Sequence, residues 1–128
     1  MMRYAGCSRL LLLLALPLAV CGHARADGLP IRIGECVSTK IQEIGTRLDN
    51  SPDSGSAVTF ANGGMQVGYD KVTAIEQSRV GDPVRMCLQS IPHDCPRGDD
   101  RGRVYQVTNL RTQQTWVRPD SSHSCGGA

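Results

Sequence analysis

Apolar positions in the second half of the chain recur mostly at every other residue, the period of a strand with one buried face. Ala57-Val58-Thr59-Phe60, the turn Asn62-Gly63-Gly64 and Gln66-Val67-Gly68-Tyr69 read as a β-hairpin. Val84-Arg85-Met86-Cys87-Leu88 follows the turn Gly81-Asp82-Pro83 as a further strand. Arg103-Val104-Tyr105-Gln106-Val107 opens a last hairpin, whose return strand Thr115-Trp116-Val117-Arg118 ends at Pro119. The stretch Ile31 to Leu48 carries two periods at once. Val37, Ile41, Ile44 and Leu48 have helical spacing, whereas Val37, Thr39 and Ile41 alternate. Gly34, Gly45 and the β-branched Thr39 and Thr46 favour a long bent strand, with a bulge near Glu43–Gly45. One or two helical turns fit between Lys71 and Ser78. Loops are read at 50–56 and at Pro92–Gly102, followed at the end by a small polar tail from Ser121 to Ala128. Five or six short strands with one short helix predict a mainly β fold. The expected form is a small antiparallel barrel, either oligonucleotide/oligosaccharide-binding-like or SH3-like.

The first 26 of the 128 residues have the three parts of a secretory signal. Arg3 and Arg9 give a positive start, Leu10 to Val20 an apolar run, and Ala24-Arg25-Ala26 a cleavage site before Asp27. That run is far shorter than the roughly 20 residues of a spanning helix. Lipoprotein processing at Cys21 fits poorly, because it wants a small residue where Val20 stands. The expectation is therefore a single periplasmic or secreted β-domain, residues 27–128, with no membrane span after cleavage. Removing the signal also changes the charge. The whole chain is formally +2, but residues 27–128 hold 11 Lys and Arg against 12 Asp and Glu. The basic excess sits in the discarded segment and gives no reason to expect nucleic acid.

Four cysteines remain after cleavage: Cys36, Cys87, Cys95 and Cys125. An even number in a short exported chain reads as two disulfides. A four-thiolate metal site normally uses closely spaced pairs, which are missing here. Three pairings are open. Cys36–Cys87 with Cys95–Cys125 is favoured because Cys95 and Cys125 flank the last hairpin. Cys87–Cys95 with Cys36–Cys125 is the main competitor.

No residue pattern specifies catalysis. Asp94, Asp99 and Asp100 crowd one loop with His93, but an Asp-rich turn paired to Arg97, Arg101 or Arg103 explains them as well. The serines around His123 lack the constrained turn of a nucleophile. Residues 49–55 lack the ligand spacing of a calcium loop, and no glycine-rich phosphate loop is present, so no cofactor is expected. In the last hairpin Arg103, Tyr105, Val107, Asn109 and Arg111 share one face by period 2, and Trp116 and Arg118 share a face of its partner. Arg103, Tyr105, Arg111, Trp116 and Arg118, with Asp99 and Asp100 in the adjoining loop, are the candidate contacts to a protein or glycan partner. Against this, Tyr105 and the single Trp116 suit a core, and for these two that is the favoured reading. The leading functional expectation is a non-enzymatic binding or structural domain. The alternative is a small enzyme or ligand carrier using the Asp- and His-bearing loops.

Several stretches resemble a group of small exported bacterial proteins that has no assigned function. They are Gly55-Ser56-Ala57, Ala61–Gly64, Ser78–Asp82, Met86–Leu88, Cys95–Gly102, Asn109–Thr112, and Pro119-Asp120 with His123–Ala128. The resemblance runs from about Cys36 to the end. It implies export and paired cysteines and carries no activity or catalytic residue. The chain departs at Gln113, where the hairpin turn suits a glycine.

Overall fold

The computed structural model describes residues 28–127; the expected signal, residues 1–26, and its cleavage site lie outside them. Six strands, β1 (Cys36–Thr46), β2 (Ser56–Phe60), β3 (Met65–Val67), β4 (Pro83–Ser90), β5 (Val104–Asn109) and β6 (Thr115–Pro119), form one antiparallel sheet ordered β3-β2-β1-β4-β5-β6. A single helical turn, α1 (Thr73–Glu76), lies between β3 and β4 in sequence.

β1 serves both halves of the sheet. Cys36 to Lys40 pair with β4, and Ile41 to Thr46 pair with β2. The bulge that makes this switch lies between Ile41 and Glu43, slightly before the expected place. An extra residue there raises the local twist and turns the strand toward its second partner. The strand also starts later than its apolar pattern implied. Residues 31–35 form a turn, with Gly34 at φ 87°. The Glu35 carboxylate accepts the Ile31 and Arg32 N–H groups, each at 3.0 Å. Those two bonds hold its carboxyl below the ordinary value.

Val37, Ile41, Val58, Phe60, Val84, Met86, Leu88 and Val107 bury the inner face, and Ile75 of α1 packs into the same core. Burial in β2 and β5 alternates strictly, which is the period-2 pattern made physical. The edge strands β3 and β6 share no ladder, so the sheet is open in its backbone pairing and not a closed barrel. A buried side chain spans the gap instead. The Gln66 amide donates to the Tyr105 and Arg118 carbonyls, both at 2.9 Å, and its oxygen accepts the Trp116 indole N–H at 2.7 Å.

The disulfides are Cys36–Cys87 and Cys95–Cys125. The first joins directly opposed residues of β1 and β4, and the second ties the C-terminal tail to the 92–102 loop. Such bridges belong to an oxidising, non-cytoplasmic setting. Among the described residues no helix is long and apolar enough to cross a membrane.

Candidate ligand-binding groove

The outer face of β1, β2 and β3 carries a groove of about 310 Å³. Two cross-strand rows build it. Gly45, Ala57 and Val67 form one row, and Glu43, Thr59 and Met65 the other. These positions alternate with the core residues Val58, Phe60 and Gln66, so the burial that fixes the inner face also fixes which side chains reach the groove. Gly45 and Ala57, paired near the end of β1 and the start of β2, leave the backbone nearly bare there. A Cβ added at Gly45 would meet nothing within 4 Å. Arg47 and Asp49, from the loop after β1, complete the wall.

That loop is held by its own hydrogen bonds. The Arg47 N–H donates to the Gly55 carbonyl at 3.0 Å, and Leu48 N–H to the Ser54 hydroxyl at 2.9 Å. Arg47 Nε donates to the Ser54 carbonyl at 2.8 Å. The loop then rests on the end of the β2–β3 hairpin through Gly55, at φ 115°, where any Cβ would lie 1.9 Å from the Gly68 carbonyl oxygen. The result places the Arg47 guanidinium 4.2 Å above the centre of the Tyr69 ring. Tyr69 is 55% exposed, and its hydroxyl lies 3.2 Å from His123 Nε2. The imidazole meets the ring edge-on at 77°. Beside them Arg118 Nη1 bonds Asp70 at 3.0 Å.

The residues singled out in sequence go to different places. Tyr105 and Trp116 are 2% and 5% exposed and lie in the core; burial raises the Tyr105 phenol pKa. The shared face of Arg103, Tyr105, Val107, Asn109 and Arg111 is therefore the inward one, with arginines only at its rims. Arg103 approaches Asp100 at 3.5 Å, and its Nε is buried without a hydrogen-bond partner. Arg111 is bound at both ends of the Asp82 carboxylate, at 2.7 and 2.9 Å. Asn109 and the Arg79 N–H also donate to Asp82. Led by Arg111, these bonds hold the Asp82 carboxyl well below the usual carboxylate range. Asp99 has a similar structural task. It binds Arg101 through two 2.8 Å bonds and accepts the Gly126 N–H at 3.0 Å, which keeps it ionised. Arg101 in turn donates to the Gly127 carbonyl, so the pair fastens the tail that Cys125 staples.

Sequence reasoning passed over Arg47 and Tyr69. They are 22 positions apart, and the β1–β2 and β2–β3 pairings together with the close packing at Gly55 bring them together. Gly45 is legible in sequence as a glycine within a strand, a residue that marks a bulge, a tight bend or a close approach by a ligand or another backbone. Here the bulge lies elsewhere, at Ile41–Glu43. No protein-family model, curated protein or solved structure matches the chain.

Proposed function

We propose that the chain is an exported, non-enzymatic domain that binds an oligosaccharide across the outer face of β1, β2 and β3. Gly45 carries the reading. A glycine inside a strand loses packing and backbone order, and this one opens the middle of the groove where a saccharide ring would lie against the bare sheet. The connectivity supports the same face. A first strand shared by both halves and a helix between β3 and β4 favour the oligonucleotide/oligosaccharide-binding type over the SH3-like one, with Gln66 standing where a ladder would close the barrel. Folds of that type bind ligands on the face of strands 2 and 3 and with the loop between strands 1 and 2, here residues 47–55.

Of the partner classes in question, nucleic acid fits poorly with a near-neutral mature chain whose groove includes Glu43 and Asp49. The ties of Asp99 to Arg101 and Gly126 support a structural role for the Asp-rich loop over an acid–base one. The two disulfides and the signal pattern of residues 1–26 together support export to the periplasm or beyond.

Screening the mature protein against an array of cell-envelope oligosaccharides, with Gly45→Leu as the paired variant, tests this. The variant fills open space on a strand surface, so its Tm stays within a few degrees of wild type, whereas saccharide binding falls at least about tenfold. Equal binding by the two proteins overturns the assignment of the groove, and capture of proteins alone overturns the saccharide.

A further inference from the structure

We infer that Arg47 is an anion clamp within this groove and that the bound saccharide carries a carboxylate, as a uronic-acid unit does. The inference rests on the groove reading above and adds the chemical group recognised. Arg47 is half-buried and fixed from two sides: Nε is spent on the Ser54 carbonyl, and the guanidinium plane is stacked on Tyr69. The Nη1–Nη2 edge is left over. Among the described residues it makes no hydrogen bond, and no carboxylate comes within 4.0 Å of it. Arg101 and Arg111, by contrast, each bind an aspartate through Nε and Nη2, and Arg118 binds one through Nη1. A planar fork held in one orientation matches the two oxygens of a carboxylate and loses little side-chain entropy on binding one.

The platform under the fork is braced as well. His123 Nε2 meets the Tyr69 hydroxyl at 3.2 Å, and His123 sits on the tail stapled by Cys95–Cys125 and tied to Asp99 through Gly126. Tyr69 and His123 are thus positioning residues for Arg47. The other charges on the groove narrow the ligand further. Glu43 and Asp49 line the same wall; they accept sugar hydroxyls readily but repel a ligand of dense negative charge. One carboxylate beside neutral hydroxylated rings satisfies all three side chains, and a polyphosphate does not.

The test compares a short oligosaccharide of alternating uronic-acid and neutral sugar units with the same oligosaccharide after reduction of its carboxyls to alcohols. Calorimetry measures both against the mature, oxidised protein. The wild type is expected to prefer the carboxylated form roughly tenfold to a hundredfold. Arg47→Gln abolishes that preference, and Arg47→Lys, with charge but no fork, keeps a smaller one. The lysine variant carries the test if the glutamine variant does not fold. Equal binding of both forms by the wild type overturns the clamp and leaves the groove reading standing. A preference that survives in Arg47→Gln overturns the assignment to Arg47. Binding of neither form overturns the saccharide reading and the clamp with it.

Discussion

A single missing methyl at Gly55 holds the rim of the groove in place. The loop backbone packs against Gly68 and Tyr69 there so closely that a Cβ has no room, and φ is positive besides. Gly55→Ala must push the loop away from the hairpin, at a cost of about 2 kcal/mol or more. The urea midpoint should fall accordingly, and the amide signals of Arg47 and Tyr69 should shift together as the stack opens. Asp82 is the corresponding residue on the far side of the core, 93% shielded in its side chain and paired with Arg111 at 2.7 Å. Its folded-state pKa is depressed below the unfolded value of about 3.9. The stabilisation it gives is therefore complete above pH 4 and is lost as pH falls further toward the folded pKa. Thermal melts from pH 6 to pH 2 are expected to decline below pH 4 in the wild type. Asp82→Asn is expected to start lower and to decline less steeply.

At the scale of elements, the last hairpin shows what a sequence does and does not disclose. Its strands were legible because Tyr105, Val107 and Asn109 fall on one face by period 2 and Trp116 and Arg118 on one face of the return strand. The direction of that face was legible only in part. Period 2 sorts side chains into two sets without saying which set is inside; the aromatic Tyr105 and Trp116 favour the core, as found, while the arginines at both ends keep a surface reading open. Asp82 and Arg111 are 29 positions apart and reveal nothing in sequence of the bond they form. The turn between the strands is closed by Asn109, whose side-chain oxygen accepts the Arg111 and Thr112 N–H groups. It needs a left-handed residue at position 113, where Gln113 sits at φ 61°. Gln113→Gly removes that strain at the loss of one exposed bond to the Leu110 carbonyl. A gain of about 0.5–1 kcal/mol is expected in denaturant unfolding, since the strain relieved outweighs glycine's added unfolded-state freedom.

Across the whole molecule, the polar clusters divide by task. Asp82–Arg111–Asn109 pins α1's downstream loop to the last hairpin, Gln66 joins the two edge strands, and Asp99–Arg101 with Cys95–Cys125 fastens the tail. Each is internally satisfied and leaves little polar capacity for a ligand. The outer face of β1, β2 and β3 differs: its floor is bare at Gly45 and its wall ends in the open edge of Arg47. Strand content was readable from the alternation and the turn residues, but this division depended on contacts between distant segments. Backbone amide chemical shifts followed during titration with the uronic-acid oligosaccharide test it most directly. The changes are expected to gather at Gly45, Arg47, Ala57, Val67 and Tyr69. Changes gathered at the 92–102 loop or along β6, with the groove silent, would contradict it.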